Sequence, residues 1–138
     1  MTHRVYIRVE LGKPLLNALP VPSKRRVLLV DDNPDGVMMN ALLISSMGHE
    51  VEIADSGLAA HEVARRFRPE FVFLDLVLPD VDGCDLAKDL IAELGPAVKV
   101  YIVTGYPDDR ARQRAREAGC GDYFVKPLDS KILERLLA

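Results

Sequence analysis

Val27–Gly36, VLLVDDNPDG, sets the problem that the rest of the chain has to solve. Four aliphatic residues, Val27 to Val30, run directly into two adjacent acids, Asp31 and Asp32. A run with no polar residue at alternate positions suits a strand buried on both faces, the kind found in parallel sheets. The carboxylates then stand at the end of that strand, where like charges repel. Either they begin a solvated loop, or a cation sits between them.

Apolar runs alternate with helical patterns along the rest of the chain. GVMMNALLISSMG (36–48) reads as a helix ending near Gly48, and VEIADS (51–56) as a short strand. GLAAHEVARRF (57–67) places Ala60, Val63, Ala64 and Phe67 at helical spacing. FVFLDLVLP (71–79) is a second buried strand, and DLAKDLIAELG (85–95) repeats the helical spacing with Ala87, Leu90, Ile91 and Leu94. VKVYIVTGY (98–106) is a strand, PDDRARQRAREAG (107–119) a helix with a narrow alanine stripe, DYFVKP (122–127) a strand and DSKILERLLA (129–138) a last helix. Five strand–helix units of this kind predict an α/β fold with a parallel sheet covered on both faces. Right-handed crossovers then bring every strand C-terminus to one edge, and in open sheets the binding crevice lies outside that edge.

The chain's 138 residues suit one domain with a full core, expected over 27–138 and preceded by an extension at 1–26. The extension carries six Lys/Arg and one acid, whereas the other 112 residues carry twelve Lys/Arg and twenty acids. An acidic body argues against a nucleic-acid ligand and favours attraction of a divalent cation. The apolar runs are too short to span a bilayer, no secretory leader is legible, and Cys84 and Cys120 lack metal-ligand spacing. A protein of the cytoplasm, with reduced thiols, is therefore expected.

Every chemically loaded residue falls at a strand's C-terminal end. Asp31 and Asp32 follow the first strand, Asp75 ends the third, Thr104 the fourth and Lys126 the fifth. Carboxylates gathered in one pocket raise each other's pKa unless a cation neutralises them. Oxygen ligands from Asp32 and Asp75, from Asp31 directly or through water, and from a main-chain carbonyl just past Asp75 suit Mg²⁺. A carboxylate beside Mg²⁺ can attack phosphorus, with Lys126 and Thr104 supplying a charge and a hydroxyl to the phosphoryl oxygens.

The motifs VLLVDD, FLDLVLPDVDG, VTG and YFVKP, in that order, resemble those of response-regulator receiver domains, the phosphoacceptor modules of two-component signalling. The resemblance covers residues 27–138 and implies a flavodoxin-like, CheY-like (βα)5 fold with strand order 2-1-3-4-5. It implies that Asp75 is the phosphoacceptor, that Asp31 and Asp32 are the acidic Mg²⁺ pair, and that the Val77 carbonyl is the remaining protein ligand. Thr104 corresponds to the switch hydroxyl, Lys126 to the family lysine, Tyr123 to the switch aromatic and Pro127 to a cis-proline. The implied partner is a histidine kinase or phosphotransfer protein. A homodimer or target surface is implied on the fourth helix, fifth strand and fifth helix. Such a domain accepts phosphoryl groups and is not itself an enzyme in the ordinary sense.

Other readings compete. An aspartyl-phosphate hydrolase usually carries a further acid two residues past its nucleophile, and position 77 is Val. A pseudo-receiver, working as an unphosphorylated interaction module, would lack one of the site residues, and none is missing. A nucleotide binder would need a glycine-rich loop where DDNPDG stands. Asp80 and Asp82 are explained by turn chemistry. His3, His49 and His61 are expected at the surface, away from any matching acid or Cys. The four arginines of the fourth helix, Arg110, Arg112, Arg114 and Arg116, read either as a solvated basic face or as part of a partner surface.

In the extension, Val5, Ile7, Val9 and Leu11 alternate with polar residues or Tyr6, a strand-like signal ended by Gly12-Lys13-Pro14. It reads as a flexible start, as an arm docking on the body or on a second copy, or as a remnant of a longer upstream protein. Twelve residues follow Lys126, which suits a single-domain regulator or the receiver of a hybrid kinase. Val77 and Tyr106 would not orient a hydrolytic water, so slow self-dephosphorylation is expected.

Overall fold

A computed structural model describes residues 24–106 and 108–138. Strands and helices alternate in the order β1 (Arg26–Val30), α1 (Pro34–Ser46), β2 (Glu50–Ala54), α2 (Gly57–Phe67), β3 (Phe71–Asp75), α3 (Gly83–Leu94), β4 (Lys99–Thr104), α4 (Asp109–Ala118), β5 (Asp122–Val125) and α5 (Ser130–Leu137). The strands form one sheet in the order β2-β1-β3-β4-β5, every pair parallel. This is the flavodoxin-like, doubly wound arrangement expected from the motifs.

Alternation along the strands sorts the core into two layers. Leu28, Val30, Val72, Leu74, Val100 and Ile102 face α2, α3 and α4, against Ala60, Ala64, Leu86, Leu90 and Ala111. Val27, Leu29, Phe71, Phe73, Tyr101 and Val103 face the other side, where α1 and α5 supply Val37, Ala41, Ile44, Leu133 and Leu137. Both sides of each central strand are therefore dry, and this is why VLLV and FVFL carry no polar residue. The Phe73 and Tyr101 rings stack across β3 and β4 with centroids 5.2 Å apart.

Element ends follow local capping chemistry. Pro34 opens α1 two residues earlier than the periodicity implies, because its fixed φ suits a first helical turn and the Asn33 side chain caps it. Asp82 caps α3 by accepting from the Cys84 and Asp85 amides, so that helix starts at Gly83 and not Asp85. β3 stops at Asp75 because the chain then doubles back: Gly83 N–H donates to the Leu76 carbonyl at 2.8 Å, and Val77 bridges to Asp82. LVLP is thus a loop.

The expectations for residues 1–23 lie outside the described residues. Lys24, Arg25 and Arg26, assigned to the extension by sequence, are tied to the domain. Lys24 pairs with Glu50, Arg25 donates to the Ala138 carbonyl, and Arg26 begins β1.

Candidate functional site

The sheet register builds the site. Val30 lies beside Leu74, so Asp31 and Asp75 emerge from adjacent strands at the same level. Thr104 lies beside Val125, and the Lys126 amide donates to the Thr104 carbonyl at 2.7 Å. Lys126 starts two strands from Asp75, and its four-carbon side chain spans that gap. Its Nζ donates to Asp31 Oδ2 at 2.7 Å and to Asp75 Oδ2 at 2.9 Å.

Each of these carboxylates is held at both ends. Asp31 Oδ1 accepts from the Asn33 amide at 2.9 Å, and Asp75 Oδ1 from the Val77 amide at 3.2 Å. Both side chains are about one-eighth exposed, at 13% and 12%. Asp32 is exposed. Oxygens from Asp31, Asp32 and Asp75 lie within 4.8 Å of one another. Lys126 neutralises only one of the three charges, which leaves an excess of negative charge in a cleft. An all-oxygen donor set of this charge fits a hard divalent cation such as Mg²⁺. Burial by itself would lower the Lys126 pKa, but hydrogen bonds to Asp31 and Asp75 outweigh it and hold the pKa above its ordinary value.

Thr104 is buried at the end of β4, and its Oγ1 accepts from the Tyr106 amide at 3.2 Å. Tyr123 is also buried; its hydroxyl donates to the Tyr106 carbonyl at 3.3 Å, and the Arg112 guanidinium lies 4.6 Å over its ring. The residue that the resemblance implies as the switch aromatic is thus turned inward here. Val77 and Tyr106 flank the cleft with exposed side chains. The Lys126–Pro127 peptide is cis. The structure thus brings Asp31, Asp32, Asp75 and Lys126 together, with Thr104 on the neighbouring strand end.

Several surroundings differ from the sequence expectation. Asp80 and Asp82 do more than make a turn. Asp80 accepts from the Gly57 and Leu58 amides at 2.8 and 2.9 Å, adding a negative charge to the N-terminus of α2. The hydrogen bonds from Gly57 and then Leu58 hold the Asp80 carboxyl below its usual range. Asp82 accepts a fork of two hydrogen bonds from Arg114 on α4, at 2.8 and 3.1 Å. Burial pushes the Asp82 pKa up, but the Arg114 hydrogen bonds and the capped amides bring it down overall. These partners lie more than twenty residues away, and no local pattern signals them.

His49 is not at the surface: it is 4% exposed, and its Nδ1 accepts from the Arg25 amide at 3.0 Å. The segment between α1 and β2 runs beside the start of β1, where the Glu50 amide donates to the Arg25 carbonyl at 2.9 Å. His61 has an acid beside it after all, Glu93 Oε2 at 3.3 Å, brought across from α3. His3 lies outside the described residues. The arginines of α4 divide: Arg112 and Arg114 are engaged with the domain, and Arg110 is exposed.

Residues 27–138 match the response regulator receiver domain. The chain belongs to that family. This receiver is 32% identical over 110 residues to the DNA-binding response regulator MtrA of Mycolicibacterium smegmatis, covering 80% of this chain and 47% of MtrA. It is 31% identical over 126 residues to the histidine-protein kinase BarA of Escherichia coli, covering 86% of this chain and 14% of BarA. The receiver therefore spans about half of one relative and a small part of the other. A response regulator from Burkholderia pseudomallei, solved with a phosphorylated aspartic acid, calcium ion and citrate, superposes with a TM-score of 0.77 at 25% identity, covering 83% of this chain and 67% of that one. The chain is a receiver domain of two-component signalling, a signalling module and not a classical enzyme. No helix among the described residues is long and apolar enough to cross a membrane.

Proposed function

We propose that the receiver takes a phosphoryl group from the phosphohistidine of a histidine kinase or phosphotransfer protein onto Asp75. A carboxylate oxygen of Asp75 forms the new O–P bond as the P–N bond breaks, and the departing imidazole nitrogen regains a proton. Asp31, Asp32, Asp75 and the Val77 carbonyl would hold Mg²⁺, which when bound supplies positive charge to the phosphoryl oxygens. Lys126 supplies a second positive charge, and Thr104 the nearby hydroxyl. The single observation that carries this reading is the convergence of three carboxylates and Lys126 at one sheet edge, with Asp75 oriented by the Val77 amide. The phosphorylated aspartic acid in the Burkholderia relative supports it.

Phosphorylation is read out through α4, β5 and α5, which meet a target or a second copy in the cytoplasm. The thin alanine contact of α4 supports this, since Ala111 and Ala115 are its buried residues. Equal amide exchange in α4 before and after phosphorylation would remove the readout from the reading.

The test is phosphorylation by acetyl phosphate and Mg²⁺, followed by intact mass, alongside Asp75→Asn and a Mg²⁺-free control. One added phosphate that requires both Asp75 and Mg²⁺ is expected. Absence of an adduct on a Mg²⁺-loaded protein would refute the reading and favour an unphosphorylated interaction module.

A further inference from the structure

We propose that Arg114 is a positioning residue for the acceptor site. From α4 it grips the loop that carries Val77, so that metal binding at Asp31 and Asp75 is coupled to the placement of α4. The proposal rests on the phosphoacceptor reading and adds to it a specific connection between site and helix.

The loop 76–82 is a closed structure with three anchors. At its start, the Val77 amide donates to Asp75 Oδ1 at 3.2 Å. At its tip, Asp80 accepts from two amides of α2. At its return, Asp82 bridges back to Val77 and accepts both guanidinium branches of Arg114, and a further Asp85 oxygen lies 3.6 Å from Nη2. Gly83 leaves no slack behind this return: a side chain there would run into the Asp75 and Leu76 backbone. A shift of Asp82 must therefore move Val77 or break the bridge, and Val77 carries the carbonyl assigned to the metal.

On the other side, α4 buries only Ala111 and Ala115, so its apolar burial is small, and the Arg114 fork joins the Arg112 contact with the Tyr123 ring in fixing its position. The fork is bidentate and planar, the geometry that an ammonium cannot reproduce. Arg114 and Asp82 are 41% and 35% exposed, so solvent screens the pair and the expected effect is moderate. Coupling is reciprocal: if Arg114 helps to place the Val77 carbonyl, metal binding must be felt at Arg114 and in α4.

The test is Mg²⁺ titration of the full chain, followed by amide and arginine Nε–H resonances. In the wild type, Mg²⁺ should shift α4 amides and the Arg114 Nε–H signal. Arg114→Ala should weaken Mg²⁺ binding by roughly threefold to fivefold and abolish the α4 response, a smaller loss than for a group bonded directly to a ligand. Arg114→Lys should not restore either, and exposed Arg110→Ala should change neither. Asp82→Asn keeps a capping side chain while losing the charge that Arg114 grips, and the double variant should be no weaker than the worse single one. An Arg114→Ala protein that binds Mg²⁺ like the wild type, or keeps the α4 response, overturns the proposal alone. So does full restoration by lysine. A wild type that takes no Mg²⁺ overturns the phosphoacceptor reading as well.

Discussion

Gly83→Ala should destabilise the domain, although alanine is the better helix former at the first position of α3. A Cβ built at Gly83 overlaps the Asp75 carbonyl oxygen and sits 2.7 Å from Leu76 Cα and 2.9 Å from the Leu76 oxygen. All three atoms are backbone, so no side chain can rotate away. The β3–α3 loop must retreat, and the 2.8 Å hydrogen bond from Gly83 N–H to Leu76 is stretched or lost. Overpacking of this kind costs about 1–3 kcal/mol, and the lost hydrogen bond about 1 kcal/mol more. Alanine's helix propensity and its smaller unfolded-state entropy return about 1 kcal/mol. The net loss is about 1–3 kcal/mol. Gly36→Ala is the matched control, because its Cβ would meet nothing closer than the Asn33 side chain at 3.7 Å. That variant should gain about 0.5–1 kcal/mol. Urea unfolding followed by circular dichroism should place the two variants on opposite sides of the wild type. Because the retreating loop begins at Asp75 and carries the Val77 amide that orients its carboxylate, the yield of phosphorylation by acetyl phosphate should fall as well. A Gly83→Ala midpoint equal to or above that of Gly36→Ala would refute the close-packing argument.

Lys126→Met removes the ammonium that occupies Asp31 and Asp75, so Mg²⁺ should bind more tightly, by roughly threefold or more at an intermediate dielectric, while phosphoryl transfer slows. Weaker Mg²⁺ binding in a titration of that variant would contradict the placement of Lys126 as a competing cation. Burial first, and then the Arg25 charge, hold the His49 pKa below its ordinary value despite an opposing pull from Glu70. The folded state therefore favours the neutral ring, and its stabilising effect is complete above the unfolded pKa of about 6.5 and is lost as pH falls below it. Thermal melts between pH 7.5 and 5 should show a falling Tm that His49→Gln flattens; equal slopes would refute it. The phosphorylated protein should lose phosphate slowly, and Val77→Asn should shorten its lifetime several-fold by offering an amide to a hydrolytic water. A fast decay that Val77→Asn does not accelerate, read by intact mass over time, would exclude this account.

The strands of the central sheet were legible because solvent is excluded from both of their faces, and that exclusion is written locally as VLLV and FVFL. The helices were legible from their spacing, and α2 follows its predicted span of 57–67. Asp31, Asp32, Asp75, Thr104 and Lys126 stood out because they interrupt apolar runs where a parallel fold gathers strand ends. Local sequence carried less about the ends of elements, where capping by Asn33 and Asp82 outweighed periodicity. It carried nothing about contacts across the sheet or between helices.

Those contacts are where tertiary structure made the decisions. His49 looked like a surface residue because no matching acid or Cys stands beside it in sequence, yet the turn into β2 brings its ring against the Arg25 amide. Asp80 and Asp82 looked like turn residues because a turn was all that their neighbours in sequence could offer them. Their partners, Gly57 and Arg114, arrive from other elements once the sheet has formed. Sequence by itself determined the fold class and which residues could carry the chemistry, since both depend on burial and on spacing along one segment. Register and helix placement alone decided that Lys126 reaches Asp31 and Asp75, and that α4 grips the loop beside them. Such pairings join residues far apart in the chain, and their energies exist only after the backbone has brought them together.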